Sequence, residues 1–261
     1  MNHIKNTLYR TAAALAVISL CICGAGAENC NSQYNWYCMH TKGETVPDLD
    51  PSFSFIKDHN CIYIDKDPDA GEKTVYLTFD AGYENGNVAT VLDVLKDKDV
   101  QGAFFILENI AEREPELIRR MADEGHLVCN HTAKHLDMTK VGSKEDFASE
   151  LKRLEDKVFE ATGVSVAKFY RPPEGCFNED NLRWADELGY RTVFWSFAYA
   201  DWDNEHQMPQ NDAFRKIVDG AHPGEIMLLH PTSSTNAAIL GKVIDRFKEM
   251  GYTFRRIDRI A

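Results

Sequence analysis

Residues 74–82 read Thr-Val-Tyr-Leu-Thr-Phe-Asp-Ala-Gly, a short run of strand-forming residues that stops on an aspartate. The turn after this run decides which kind of α/β fold the chain adopts. Its residues, Asp80-Ala81-Gly82-Tyr83-Glu84, lack the glycine-rich loop that cradles phosphates after the first strand of nucleotide-binding folds, so a nucleotide cofactor loses its main support. Beyond the turn, Val88, Val91, Leu92 and Leu95 recur at helical spacing. The pattern then repeats. Strand-type runs at 102–107, 127–129, 168–170, 192–196, 225–229 and 252–254 alternate with helical patterns around 117–121, 144–162, 179–188, 212–218 and 236–250. Such alternation builds βαβ units around a parallel sheet. About seven strands within residues 74–254 predict an α/β fold of the closed type, a distorted (β/α) barrel, over an open doubly wound sheet.

Upstream of this domain, assigned to residues 72–261, the chain changes character. Residues 28–71 are polar and turn-rich, with Pro47, Pro51 and Pro68, yet they carry Tyr34, Trp36, Tyr37, Phe53, Phe55 and Tyr63. That composition predicts an N-terminal extension packed on the domain. In residues 1–27, Lys5 and Arg10 precede an apolar run at 11–23, and Ala25-Gly26-Ala27 supplies small residues at signal-peptidase spacing. This is the pattern of a secretory signal peptide, and the run is shorter than the roughly 20 residues that span a bilayer. A secreted, monomeric protein with no membrane span in its mature form is expected.

Without residues 1–27, 27 basic residues face 41 acidic ones, a net charge of −14. A surface this acidic disfavours nucleic acid and anionic membrane as partners. Five cysteines remain, Cys30, Cys38, Cys61, Cys129 and Cys176, an odd number too scattered for a disulfide framework or a zinc-thiolate site. Cys30 and Cys38 could pair outside the cell, whereas Cys129 and Cys176 read as small buried hydrophobes.

The reactive side chains fall at strand ends. Asp80 closes the first strand, His131 and His135 follow the third, Arg171 follows the strand at 168–170, Asp201 lies past the strand at 192–196, and His230 ends the strand at 225–229. Barrels of this kind assemble their active sites at the carboxyl face of the sheet. Each residue alone has an ordinary structural role open to it. Asp80 could cap a helix, Arg171 could make a surface ion pair, and His230 could be a hydrogen-bonded core residue. His131 and His135 are four apart, so on a helical turn both rings would project from one face and could share a cation. Arg171 precedes Pro172-Pro173 and is carried on a stiffened backbone. Five strands delivering polar, titratable groups to one face are hard to assign to packing. His126 and His222 have no such placement and read as structural.

These stretches resemble the motifs of the polysaccharide deacetylases, carbohydrate esterase family 4. Thr78-Phe79-Asp80-Ala81-Gly82 is similar to the first motif, Asn130-His131-Thr132-Ala133-Lys134-His135 to the second and Arg171-Pro172-Pro173-Glu174-Gly175 to the third. Asp201-Trp202 is similar to part of the fourth and Leu228-Leu229-His230 to the fifth, all in the family's order. Asp80 through Gly86 and Thr192-Val193-Phe194-Trp195-Ser196 look most like the branch of delta-lactam-biosynthetic de-N-acetylases. The resemblance implies removal of N-acetyl groups from N-acetylmuramic acid in a peptidoglycan glycan strand, on the route to the muramic δ-lactam of spore cortex, in the cell wall or spore envelope. It implies a divalent metal on His131 and His135, Asp80 as general base, His230 as general acid, Arg171 orienting Asp80 and Asp201 supporting the His230 cation. The backbone N–H of Glu174 would meet the oxyanion, and Tyr83 and Trp202 would contact substrate.

Two positions depart from the family pattern. Ala81 stands where a second aspartate usually completes the metal's protein ligands, and Ala198 stands where the fourth motif normally begins with an aspartate. Two imidazoles without that carboxylate suit zinc better than a hard cation, with waters or Asp80 completing the shell. Ala81 also motivates a rival of another class, a lapsed glycan-binding protein, while N-acetylglucosamine in peptidoglycan or chitin is the competing substrate. An ester hydrolase would share these residues, but there is no G-x-S-x-G motif for a serine nucleophile.

Overall fold

The computed structural model describes residues 32–67 and 71–261. The signal sequence read at 1–27 and Cys30, the candidate partner of Cys38, lie outside the described residues. In chain order the strands are β1 (Tyr34–Asn35), β2 (Cys61–Ile62), β3 (Lys73–Ala81), β4 (Ala103–Ile106), β5 (Leu127–Asn130), β6 (Ala167–Tyr170), β7 (Cys176–Phe177), β8 (Arg191–Val193), β9 (Glu225–Leu229) and β10 (Tyr252–Phe254). The helices are α1 (Asn87–Asp97), α2 (Glu108–Arg113), α3 (Pro115–Asp123), α4 (Lys144–Thr162), α5 (Glu179–Glu187), α6 (Gln210–Asp219) and α7 (Ser234–Glu249).

The strand that ends at Asp80 and Ala81 is the hub of the sheet. β3 pairs in parallel with β9 along one edge, and along the other with β10 at its start and β4 at its end. The order continues β4-β5-β6-β8-β2, every pairing parallel. Seven parallel strands thus match the alternation, and β2, from within residues 28–71, adds one more beside β8. Past β8 the chain hydrogen-bonds to β9. The Ser196 N–H donates to the Ile226 carbonyl at 3.0 Å, and the Leu228 N–H to the Phe197 carbonyl at 2.9 Å. The sheet therefore curls until its two sides meet. All nine residues of β3 except Lys73 and Asp80 are buried, as expected for a strand covered on both faces.

The helices close the outside. On α1, Val88, Val91, Leu92 and Leu95 are fully buried, each contributing about 1.5–3 kcal/mol on removal from water. Ser143 caps α4 by accepting the Asp146 N–H, and Gly163 ends it at φ 75°, conformations those two residue types favour. Ahead of the barrel, β1 pairs antiparallel with β7. Trp36 stacks on Phe194 at 4.3 Å between ring centroids and on Phe53 at 5.1 Å. Among the described residues no helix is long and apolar enough to cross a membrane. Cys129 and Cys176 are buried.

Candidate active site

A cleft of about 720 Å³ opens at the carboxyl ends of the parallel strands and is lined by Asp80, His131, His135, Glu174, Trp202, Tyr83 and His230, together with apolar walls. Arg171 and Asp201 sit directly behind it, with side chains 0% and 1% exposed.

Arg171 is wholly buried and uses its fork in three directions. Nη1 donates to Asp80 Oδ1 at 2.7 Å, Nη2 to Thr78 Oγ1 at 2.8 Å and Nε to the Val193 carbonyl at 3.1 Å, while the guanidinium lies 4.1 Å from the centre of the Phe105 ring. Asp80 is therefore neither a helix cap nor a turn residue. Burial pushes its pKa up, but the Arg171 charge, helped by His131 and His230, outweighs burial and holds the carboxyl below its ordinary range.

The two histidines meet differently from the sequence expectation. Residues 131–135 form no helical turn. The β5–β6 register shifts between Cys129 and Asn130, a bulge-type irregularity of the kind that re-aims side chains near active sites. Thr132 and His135 then take left-handed φ angles of 72° and 56°, a rare state for a β-branched residue. The strain is held in place by Asn130. Its Oδ1 accepts the Thr132 N–H at 2.9 Å, and its Nδ2 donates to the Leu151 carbonyl and the Tyr190 hydroxyl at 3.0 and 2.9 Å. Thr132 Oγ1 accepts the His135 N–H at 3.0 Å, and the two rings end 5.0 Å apart, edge to face.

His131 Nδ1 donates to the Arg171 carbonyl at 2.8 Å, which leaves the Nε2 lone pair facing Asp80 Oδ2 at 3.5 Å. Burial drops the His131 pKa to about 4 despite that carboxylate, so at neutral pH two lone pairs face each other with no proton between them. A cation suits such a spot, and a ring nitrogen fixed by a backbone carbonyl is the usual second partner of a metal-binding imidazole. The fit is incomplete in one respect. Among the described residues no three His, Cys, Asp or Glu side chains cluster to hold an ion, and Ala81 is buried within the apolar core.

Just past β9, beside the strand that carries Asp80, His230 Nδ1 donates to Asp201 Oδ1 at 2.7 Å and the His230 N–H donates to Asp201 Oδ2 at 2.8 Å. Burial opposes the imidazolium, but its bond to Asp201 and the charges of Asp201 and Asp80 exceed that effect and Arg171's repulsion, so the pKa is raised. Glu174 stands at φ 56° and ψ 8° on the rim. Trp202 and Tyr83 are 61% and 46% exposed there, and Asn204 donates to the Tyr83 hydroxyl.

Sequence reasoning missed several wall residues: Trp36, Leu107, Trp195, Tyr199, Leu228 and Thr232 all line the cleft. Trp36 comes from the N-terminal segment, and its Nε1 donates to the Trp195 carbonyl at 2.9 Å. Its aromatic neighbours hinted that the segment docks, but nothing in its sequence pointed to the cleft. His126 and His222 lie elsewhere. His126 Nδ1 accepts the Gly102 N–H, and His222 bonds the Gly220 carbonyl and Ser196 Oγ.

A curled parallel sheet that brings an arginine-paired carboxylate, an aspartate-paired imidazole and two further imidazoles into one cleft carries the side chains that acid–base hydrolysis uses. The chain belongs to the polysaccharide deacetylase family, whose model matches residues 67–193. It is 39% identical over 229 residues to the peptidoglycan-N-acetylmuramic acid deacetylase PdaA of Bacillus subtilis, covering 87% of this chain and 86% of that protein. The solved structure of Bacillus subtilis PdaA, a family 4 carbohydrate esterase, matches with a TM-score of 0.83, covering 88% of this chain and 97% of that one. A peptidoglycan-N-acetylglucosamine deacetylase of Bacillus cereus is 31% identical over 184 residues, 69% of this chain and 65% of that protein.

Proposed function

We propose that this protein hydrolyses N-acetyl groups of peptidoglycan and that its target sugar is N-acetylmuramic acid, the sugar named for the Bacillus subtilis relative. One observation carries the reading: a carboxylate paired with Arg171 and an imidazole paired with Asp201 share one cleft. Amide hydrolysis needs both, because water is a weak nucleophile and an amine leaves poorly without a proton.

Asp80 takes the proton of the attacking water through Oδ2, the oxygen that Arg171 leaves free. Arg171 fixes the carboxylate and keeps it charged. His230 delivers its Nε2 proton to the departing amine while Asp201 retains the Nδ1–H and so sets which nitrogen gives the proton. The Glu174 N–H is the donor assigned to the oxyanion, and Trp202 and Tyr83 offer ring faces and edges to the sugar. A divalent ion on His131 and His135 would polarise the acetamide carbonyl and acidify its water, and zinc suits a pair of imidazoles lacking the carboxylate that Ala81 replaces. Once deacetylated, a muramic amine can reach its own lactyl carboxyl to close a six-membered ring. This underlies the reading of a δ-lactam route in spore cortex, and residues 1–27 underlie that of secretion.

The test is acetate release from peptidoglycan stripped of stem peptides, with mass spectrometry of muropeptides to identify the sugar. Asp80→Asn and His230→Ala should each abolish release. Mass loss on glucosamine residues instead would reassign the substrate. Glycan binding without acetate release under any metal supplementation would establish a lapsed enzyme.

A further inference from the structure

Asp201 is held by more than the histidine it serves. Its Oδ2 accepts from the Asn236 side chain, whose Nδ2 lies 2.6 Å away, and the same Nδ2 donates to the His230 carbonyl at 3.1 Å. Asn236 is buried at 2% exposure in the first turn of α7, where Ser233 Oγ caps the helix by accepting the Asn236 N–H at 3.1 Å. The far side of the amide is also committed, since Tyr199, itself buried, donates its hydroxyl to Asn236 Oδ1. An amide carries donors on one atom and acceptors on the other, so this bond fixes which way the group points. Flipped, its oxygen would face the Asp201 carboxylate and two acceptors would oppose each other.

We propose that Asn236, locked by Tyr199, is a positioning residue for the general acid. It ties both the carboxylate and the main chain of the acid–carboxylate pair to the rigid start of α7. Asp201 sits on an irregular stretch beyond β8, and His230 is the residue just beyond β9. The two segments already bond each other through the carboxylate, and Asn236 adds a bond from α7 to each of them that fixes the pair against the helix; small displacements of a proton donor cost rate steeply. Asn236 is buried and does not line the cleft, so its effect reaches the reaction through Asp201 and His230. The charged groups facing His230 are Asp201, Asp80 and Arg171, and replacing Asn236 changes none of them.

This inference rests on His230 acting as the acid, but its test can be read without substrate. In wild-type protein carrying ¹⁵N-histidine, the His230 Nδ1–H bonded to Asp201 should give a resonance downfield of the amide envelope, assigned by its loss in His230→Gln. In Asn236→Leu that resonance should broaden or vanish. The kcat should fall about tenfold to a hundredfold, the range of one hydrogen bond to a charged group, with KM changed less than threefold. The basic limb of the kcat profile should move to lower pH. Tyr199→Phe, which keeps the donors but unlocks the amide, should show the same changes in smaller degree and covers the case in which the leucine variant does not fold. An unchanged resonance and basic limb in a folded variant would overturn the proposal, even if kcat fell. A resonance lost in Asn236→Leu from a wild type that releases no acetate would support the positioning and fault the function.

Discussion

Replacing Arg171 by methionine isolates the electrostatics on which the base depends. The change removes four hydrogen bonds and the one cation bonded to Asp80 while leaving an apolar chain against Phe105. A buried charge stripped of its partner typically costs about 3–5 kcal/mol. For a domain of this size each kcal/mol is worth roughly 2–4 °C, so the melting temperature near neutral pH should fall by on the order of 10 °C. The pH dependence is the sharper part. In the wild type the folded pKa of Asp80 is depressed, so its pairing contributes stability that is fully present above the ordinary carboxylate range and lost as pH falls through the folded value. In the variant, burial is opposed above pH 5 by the His230 charge alone, and the folded pKa should move above the unfolded one. The unfolded chain then ionises first, and stability falls as pH rises. Melting curves followed by circular dichroism from pH 5 to 8 should show the gap between wild type and variant widening with pH. A gap of constant size would mean that Arg171 serves packing and hydrogen bonding alone, and would refute the charge argument.

Other consequences are as direct. Asp201→Asn removes the charge that raises the His230 pKa, so the basic limb of kcat/KM should move to lower pH and the rate near pH 7 should fall about 10²–10⁴-fold; an unmoved limb speaks against His230 as the acid. His131→Ala should abolish zinc binding measured by calorimetry and elemental analysis, with the fold retained by circular dichroism, whereas stoichiometric binding in the variant places the ion elsewhere. Gly175→Ala should lower stability by about 1–3 kcal/mol in urea titrations, because Gly175 stands at φ 68° and an added Cβ would meet Trp195 Cη2 at 2.9 Å and Trp36 Cβ at 3.2 Å. Wild-type stability there would mean that the wall can yield.

The frame of this fold is legible in the sequence because each parallel strand is buried on both faces and each helix on one, so burial writes itself as apolar runs and periods. The β9 and α4 bounds read from periodicity agree with those observed. The segment at 192–196 does not, since regular pairing stops at Val193 and the chain bends to bond β9 instead. Apolar character reports burial, and residues 194–197 are mostly buried whatever their backbone does. β1, β2 and β7 were invisible because two residues carry no period.

The site divides along the same line. Residues whose position is set by a strand end, Asp80, Arg171 and His230, could be found by counting along the chain. The geometry between residues 131 and 135 could not, because it depends on a register shift and two left-handed residues stabilised by Asn130, 60 positions from the Tyr190 hydroxyl it bonds. Helical spacing pointed to two histidines that the structure does bring together, but by a different physical route. An i, i+4 pair on a helix projects from adjacent turns of one regular face, whereas here a strained loop turns the second ring back against the first. That difference has a consequence for the weak point at Ala81. A helix would hold both imidazoles by its own hydrogen bonds, but this loop borrows its shape from Asn130 and Thr132, so ion affinity should respond to substitutions at those two positions as well as at the ligands. Thr132→Gly, which accepts the left-handed φ without strain but removes the hydroxyl that holds the His135 N–H, separates the two effects. Weaker zinc binding with undiminished stability would assign the hydroxyl to holding the second imidazole, and unchanged binding would show that the backbone conformation alone suffices.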